Sequence, residues 1–198
     1  MKNFILFSVV AALCLMSGKV DAQSLSVRAD IPYSATTTFN FSVQPRLDSL
    51  HTLDLFAGYN PWTFRGNRKF KHILLQPELR RWFDAPYTGH FVAIHAHYSI
   101  FNVGGFPPIR HYRYEGWLIG AGIGYGYDFR LNDRLKLELE IGAGYAYIDY
   151  DKFPCERCSD MIRSAHRHYF GPTKLSASIV YTIGENGRTE RRPQIYLP

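Results

Sequence analysis

Residues 135–147 read LKLELEIGAGYAY, and the alternation in this stretch decides the fold. Every odd-numbered residue in it is aliphatic or aromatic, whereas the even-numbered ones are Lys136, Glu138 and Glu140, followed by glycine and alanine. Successive side chains of a β-strand point to opposite faces, while a helix would spread these charges around its surface. The stretch therefore predicts a β-strand with one apolar face and one polar face.

The same period of two recurs along most of the chain. In residues 117–130, large apolar residues alternate with glycines and then with Asp128 and Arg130. Eight segments show this alternation and are predicted to be strands: residues 24–33, 37–46, 50–59, 72–83, 89–102, 116–131, 134–149 and 172–183. Their lengths bracket the ~9 to 11 residues with which a tilted strand crosses a bilayer.

The predicted connections alternate between short and long. Short turns are expected at residues 47–49, 84–88 and 132–133, and long loops at 60–71, 103–115 and 150–171, with one short connection near 34–36. An even strand number with this alternation is the plan of a bacterial outer-membrane barrel. We therefore predict an all-β fold, an eight-stranded antiparallel transmembrane β-barrel over residues 23–183, with periplasmic termini and extracellular long loops.

A soluble barrel or sandwich is the competing fold, and it would bury the apolar face. Eight strands enclose a space just wide enough to be filled by side chains, which suits a face of glycine and paired charges. We therefore expect the polar face inside, with a lumen charge network of Arg28, Asp30, Glu78, Arg80, Asp128, Arg130, Lys136, Glu138 and Glu140; Asp54, His95 and His97 share that face. Aromatic girdles are expected at Tyr33, Tyr59, Trp117, Phe129, Tyr147 and Tyr181.

The two ends of the chain differ from the strand region. Lys2, an apolar run over residues 4–18 and small residues before Gln23 predict a cleaved signal peptide at residues 1–22. That run is shorter than the ~20 residues of a spanning helix. Residues 184–198 are basic, have no strand period, and are predicted to be a flexible periplasmic tail.

Composition excludes several classes of protein. The 198 residues are 46% hydrophobic, 20% charged and 16% aromatic, which fits neither a disordered chain nor a helical membrane protein. We find no internal repeat, no glycine-rich phosphate loop and no nucleic-acid motif, so nucleic acid is not an expected partner. Pro77 lies inside the fourth predicted strand and cannot donate to a ladder, so a bulge is expected at residues 76–78.

Seven short motifs resemble a known family. They are YNPWTF at 59–64, KHILLQPE at 71–78, GHFV at 89–92, FNVGG at 101–105, GAG at 120–122, DYDKFPC at 149–155 and YFGPTK at 169–174. They are similar to the Bacteroidetes proteins grouped as domain of unknown function 3575 (DUF3575), over about residues 50–183. The resemblance implies an outer-membrane barrel, often encoded near fimbria-like genes, and it carries over no catalytic residue and no cofactor.

One arrangement could be drawn as a catalytic site. His97 and Ser99 are two residues apart on one strand, and with Glu78 or Glu138 they could form the serine, histidine and acid of a lipid A-modifying hydrolase or acyltransferase. The predicted register points both side chains into the filled interior, away from any lipid. Polar packing is therefore the favoured interpretation, and we predict no catalysis.

Cys155 and Cys158 are the only cysteines after the predicted signal peptide. An exported, oxidising compartment favours a disulfide between them. A zinc site with His166 and His168 is the alternative, although a His-x-His spacing is not that of a zinc finger. No metal and no cofactor are predicted.

The predicted outer loops are basic. The candidate residues for contact with lipopolysaccharide phosphates are Arg65, Arg68, Lys69, Lys71, Arg110 and Arg113. Solvated loop charge explains them almost as well. We predict a structural or surface-interaction protein of the outer membrane, whose partners are membrane lipids, lipopolysaccharide and fimbrial or other envelope proteins.

Overall fold

A computed structural model describes residues 24–154 and 160–184, which form one antiparallel sheet with almost no helix. The strands are β1 (Ser24–Asp30), β2 (Phe39–Pro45), β3 (His51–Asn60), β4 (Thr63–Phe64), β5 (Arg68–Trp82), β6 (Gly89–Gly104), β7 (Tyr112–Arg130), β8 (Leu135–Pro154) and β9 (Arg163–Gly184), and the helix is α1 (Ile31–Ala35). The prediction of an all-β antiparallel fold is confirmed. Within these residues, no helix is long and apolar enough to cross a membrane.

The sheet is ring-like. Its strand order is β3-β2-β1-β9-β8-β7-β6-β5, and β3 also pairs with β5, which joins the two ends of that order. The first and last strands of the ring in chain order pair directly, from Ser24 opposite Gly184 to Asp30 opposite Ser178. Strand β4 adds only two residues beside β5. We call the end of the ring that carries α1 the α1 end, and the opposite end, with the short turns, the turn end.

The ring is much taller on one side than on the other. Strands β1 and β2 have seven residues each, whereas β7, β8 and β9 have 19, 20 and 22. Most of the predicted long loop at 150–171 and both ends of the one at 103–115 are therefore strand, and the loop prediction is wrong for those residues. Both faces of these extensions are half-exposed, for example at Tyr150, Asp151 and Lys152, so the alternation that marks a half-buried strand is weak.

The strands depart from the prediction at several places that contain a proline. Strand β1 ends three residues early because Asp30 caps α1, accepting the N–H of Tyr33 at 3.1 Å, with Pro32 in the first turn. The bulge expected at residues 76–78 is wrong, because the β5–β6 ladder skips Gln76 and Pro77 and resumes in the same register. The register shift lies instead at Gly142/Ala143, opposite the segment that contains Pro172.

The two faces of the sheet are inverted relative to those of a soluble protein. Charged residues such as Arg80, Glu78 and Glu138 are fully buried inside the ring, whereas Ile123, Leu175 and Phe170 are 69%, 73% and 77% exposed outside it. Buried apolar residues cluster at Trp82, Tyr87, Phe91 and Ala93, towards the turn end. The predicted assignment of the polar face to the interior is thus observed.

Candidate functional site

The interior is centred on Arg80, which β5 holds in the middle of the ring. Its Nε lies 2.6 Å from Oε1 of Glu78, its Nη1 lies 2.6 Å from Oε2 of Glu138, and its Nη2 lies 3.0 Å from Oε2 of Glu140. The guanidinium also lies over the Phe91 ring, at 4.5 Å from its centroid. Every polar edge of this buried arginine is therefore paired, as a buried charge requires.

A second arginine and a lysine complete this cluster. Arg28 of β1 places Nη1 2.6 Å from Oε1 of Glu138 and also pairs with Asp54, whose carboxylate accepts the Ser42 hydroxyl. Lys174 of β9 pairs with Glu78 and lies 2.8 Å from Oε2 of Glu140. We call these residues the central ion network: Arg28, Asp54, Glu78, Arg80, Glu138, Glu140 and Lys174. They tie β1, β3, β5, β8 and β9 together across the ring.

The structure brings together only part of the predicted lumen network. Asp30 and Asp128 are buried outside the central ion network: Asp30 accepts from Ser176 and Ser178, and neither Asp128 carboxylate oxygen has a hydrogen-bond partner in the described chain. Lys136 is also buried and donates to the Tyr87 carbonyl. All three residues are therefore buried as predicted, but none of them forms an ion pair with another member of the predicted network in the described chain.

Arg130 is the clear error in the predicted network. Its side chain is 65% exposed and pairs with Asp133, three residues on, in the turn between β7 and β8. Arg130 ends β7, so its side chain reaches past the rim of the ring towards the turn and not into the interior. Glu140 contacts Arg80, which belongs to the predicted network, and Lys174, which does not.

The sequence interpretation missed Lys174, although a signal for it exists. Lys174, Ser176 and Ser178 share one face of β9 and are all buried. On the turn-end side of the register shift, even-numbered residues of β9 face inward, because Ser178 lies opposite Glu138. On the α1-end side, odd-numbered residues face inward, because Tyr169 lies opposite Ala146. Taking every second residue therefore does not identify all the inward-facing residues of β9, and Lys174 lies next to the position where the inward-facing residues change from even to odd numbers.

The candidate catalytic pair does not form a triad. His97 and Ser99 are buried on the inner face, 7% and 6% exposed, and they are not hydrogen-bonded to each other in the part of the chain described. Their candidate acids are engaged elsewhere, Glu78 with Arg80 and Lys174, and Glu138 with the two arginines. The arrangement supplies no base within reach of the Ser99 hydroxyl and no acid to orient it.

The basic candidates for lipopolysaccharide contact all lie towards the α1 end. Arg65 and Arg110 are in connecting segments as predicted, whereas Arg68, Lys69 and Lys71 belong to β5 and Arg113 belongs to β7. The loop assignment is wrong for those four because the strands continue into the predicted loops. Arg113 lies over the Phe153 ring, with its Cζ 4.5 Å from the centroid.

Several other predictions fall outside the described residues. Cys155 and Cys158, the signal peptide at 1–22 and the tail after Gly184 are among them. Within the described ranges, no group of three or more His, Cys, Asp or Glu residues is placed to hold a metal ion. His168 lies on the outer face, and its Nδ1 is 2.7 Å from the hydroxyl of Tyr145.

Most of the expected aromatic girdle lies on the outer face of the sheet. Tyr59, Trp117, Phe129 and Tyr181 are exposed there, and Tyr147 packs beside Trp117 with ring centroids 5.7 Å apart. Tyr33 is the exception. It belongs to α1 and packs against Phe56, whose side chain is buried, at 5.2 Å between centroids. The early end of β1 turns this residue towards the interior.

Comparison with known proteins gives one match. The model of the family described as "Protein of unknown function (DUF3575)" matches residues 6–183. No curated protein and no solved structure shows a significant match. The family match covers most of the chain, including every described strand except the last residue of β9. The chain therefore belongs to the DUF3575 family.

Proposed function

We propose that the protein is a small β-barrel of the bacterial outer membrane, exported by a signal peptide at residues 1–22. One observation carries the proposal: charged side chains are buried inside the ring while large apolar side chains are exposed outside it. A soluble protein seldom buries Arg, Glu and Asp together, and rarely exposes so continuous an apolar surface. A hydrocarbon environment favours this distribution.

The dimensions of the ring support a membrane location. In hydrocarbon every backbone N–H and C=O must be paired, and the ring meets that requirement wherever its neighbouring strands pair, which excludes the β1 side of β9 beyond Ser178 and the edges of the tall extensions. Strands β3 and β5 to β9 have 10 or more residues each, which is enough for the ~9 to 11 residues with which a tilted strand crosses a bilayer, whereas β1 and β2 have seven each.

We further propose a structural or surface-interaction role without catalysis. The middle of the interior is filled by the central ion network, which argues against a pore. The tall strands β7, β8 and β9 would extend beyond the membrane, and basic residues such as Arg65 and Arg110 lie towards that end. They would contact lipid and lipopolysaccharide phosphates, and the family resemblance suggests fimbrial or other envelope proteins as partners.

Cell fractionation and gel mobility test the membrane location. The protein should be recovered with outer membranes, and the unboiled sample should migrate differently from the boiled one in SDS, because a closed ring of strands resists the detergent. Recovery in the soluble periplasmic fraction would overturn the proposal.

Mass spectrometry of lipid A from a deletion strain tests the absence of catalysis. A lipid A hydrolase or acyltransferase needs serine, histidine and acid together on the lipid-facing surface, and no observation favours that arrangement, since His97 and Ser99 are on the inner face. We expect identical lipid A in the deletion and parent strains. A lipid A species that disappears on deletion and returns with the intact gene would favour the enzyme.

A further inference from the structure

A cavity of about 420 Å³ lies inside the ring towards the α1 end. Its walls are mostly apolar and come from four adjacent strands: Phe70 and Leu74 of β5, Phe101 of β6, Leu118 of β7 and Ile148 of β8. This wall differs from the charged middle of the ring, because none of the described residues that line the cavity is Asp, Glu, Lys or Arg. Its size and apolar lining are those of a small-molecule site.

Polar side chains without a formal charge also belong to the cavity wall. His97, Ser99, His72 and Gln76 line it beside the apolar residues. Nδ1 of His97 and Nε2 of His72 are buried and have no hydrogen-bond partner within the described chain. Buried polar atoms are normally satisfied, and leaving one unpaired costs free energy, so a ligand group that can donate and accept hydrogen bonds would be favoured here.

One side of the cavity is not sealed by strand pairing. Strand β1 pairs with β9 only as far as Asp30 opposite Ser178, while β9 continues to Arg163. From Ala177 to Arg163, β9 has no strand partner on its β1 side among the described residues. Tyr33 of α1 and Pro172, in this unpaired part of β9, both line the cavity.

The outer surface beside the opening is apolar. Phe170 and Leu175 of β9 are 77% and 73% exposed and lie on the outer face, on either side of Pro172. An apolar path therefore leads from the outer surface, past the unpaired part of β9, to the apolar wall of the cavity. A hydrocarbon chain could follow this path without crossing a charged group.

We propose that this cavity binds a long-chain fatty acid, which enters from the membrane between α1 and β9. The acyl chain lies against Phe70 and Leu118, and its carboxyl group reaches His97 and Ser99. Polar side chains without a formal charge suit a protonated carboxyl group, which donates and accepts hydrogen bonds. A phosphate would require cationic side chains, and the cavity wall formed by the described residues has none. The route of entry rests on the proposed membrane location; the cavity does not.

Native mass spectrometry of the detergent-folded, delipidated protein with oleic acid tests the inference. The wild type should bind one oleic acid per chain and should prefer it to methyl oleate, which cannot donate. Leu118→Trp fills the cavity and should weaken binding at least tenfold. Ile119→Trp is the matched control, because Ile119 is the next residue of β7 and is 51% exposed on the outer face, so its binding should be unchanged.

A second variant addresses the carboxyl group. His97→Phe should bind oleic acid and methyl oleate equally, because the unpaired imidazole nitrogen is gone. Equal binding of oleic acid by the wild type, Leu118→Trp and Ile119→Trp, all with native gel mobility, would overturn the cavity assignment. If Leu118→Trp does not fold, Val103→Trp on the same wall replaces it, with the same expectation.

Fractionation separates this inference from the proposed function. One outcome is a protein that is recovered from the periplasm and still binds oleic acid selectively, with binding lost in Leu118→Trp. That result would support the cavity site and reject both the membrane location and the entry from the membrane. A protein recovered in the outer membrane that binds no oleic acid would reject the fatty-acid site alone.

Discussion

Glu138 is the carboxylate that pairs at 2.6 Å with both arginines of the central ion network. Its carboxylate pairs with Arg80 through both oxygens, at 2.6 and 3.0 Å, and with Arg28 at 2.6 Å, and all three side chains are buried. Removing one partner of a buried ion pair leaves the other charge uncompensated, which costs ~3 to 5 kcal/mol. Glu138→Ala should therefore lower the free energy of unfolding by about that amount, measured by urea titration of protein in lipid vesicles.

Asp133→Ala is the control for this prediction. Asp133 pairs with Arg130, but these side chains are 90% and 65% exposed, and exposed ion pairs contribute about 0 to 1 kcal/mol. Equal losses in the two variants would mean that water reaches the central ion network or that the inner face is assigned wrongly.

Asp48, in the turn between β2 and β3, provides a prediction about pH. The N–H of Leu50 donates to Oδ1 of Asp48 at 2.8 Å, and the backbone N–H and ring of His51 also contact the carboxylate, so the pKa of Asp48 lies below its usual range. A lowered folded-state pKa contributes stability above the unfolded value of about 3.9, and this stability is lost as pH falls through the folded pKa.

The pH titration of Asp48 can be followed by carboxyl carbon NMR. We expect its midpoint below 3.9, the reference value for aspartate. Asp48→Asn should remove the turn's part of the acid sensitivity and leave the rest of the acid unfolding curve in place. A midpoint at or above the reference value would contradict the hydrogen bonds assigned to this turn.

The glycines of β7 give the interior its room for large side chains. Gly126 pairs with Phe91 of β6, and a Cβ added at Gly126 would lie 2.6 Å from Cε1 of that ring. Phe91 is buried against Trp82, with ring centroids 4.7 Å apart, and cannot move aside easily. Gly126→Ala should therefore destabilise the protein by about 1 to 3 kcal/mol, the usual cost of overpacking, measured by urea titration.

Gly58→Ala is the matched control in another strand of the ring. A Cβ there would lie 3.4 Å from the nearest atom of Phe56, which is an ordinary contact, and alanine loses less backbone entropy than glycine on folding. We expect an unchanged or slightly higher stability. Combining Gly126→Ala with Phe91→Leu should recover part of the loss; no recovery would place the strain elsewhere than at the Phe91 ring.

The alternation of apolar and polar residues predicts the strands well where one face of the sheet is buried, and it fails where neither face is buried. Leu135–Tyr147 alternates cleanly because its even residues face the packed interior. The sequence predicts a loop over residues 150–171, yet β8 and β9 pair across most of it, from Lys152 opposite Arg163 to Gly144 opposite Gly171. Residues half-exposed on both faces carry no hydrophobic contrast, so period alone cannot detect such a strand.

The partners within the central ion network were beyond the reach of sequence patterns for a different reason. Alternation predicted that Arg28 and Glu138 face the interior, but they are 110 residues apart and meet only because β1 pairs with β9 and β9 with β8. Lys174 depends further on the register shift at Gly142/Ala143. The face to which a side chain points follows from the local alternation of residues, whereas contacts between side chains across the ring depend on how the sheet closes.

The hairpin of β8 and β9 bears on the predicted disulfide. Lys152 pairs with Arg163, and the N–H of Ile162 donates to the Lys152 carbonyl at 2.8 Å, so strand pairing already holds the hairpin together. A bridge between Cys155 and Cys158 would close a very small loop and gain little entropy. Replacing both cysteines by serine should therefore leave the unfolding transition unchanged while weakening any surface interaction of this hairpin.

Thiol titration of the unfolded, unreduced protein tests the disulfide itself. We expect no free thiol in protein exported from the cytoplasm. Two free thiols would reject the bridge and favour the zinc alternative with His166 and His168.

Ring closure by β1 and β9 underlies both the buried charges and the proposed membrane location. Ala29 lies opposite Ile179, and Ile179 lies opposite Leu137 of β8. Paired residues of antiparallel strands have Cα atoms about 4.5 to 5.5 Å apart, within disulfide range, whereas Ala29 and Leu137 are two strands apart, at about 9.5 Å. Cysteines at these positions therefore distinguish a closed ring from an open sheet without reference to a membrane.

The closure test uses a chain starting at Gln23 with Cys155→Ser and Cys158→Ser. Ala29→Cys with Ile179→Cys should oxidise to a disulfide in the folded state, and the boiled, unreduced sample should migrate as a cross-linked chain until reductant is added. Ala29→Cys with Leu137→Cys should stay reduced, because a disulfide cannot span that distance. If the second pair cross-links and the first does not, β1 does not lie beside β9, and the network of Arg28 with Glu138 loses its structural basis.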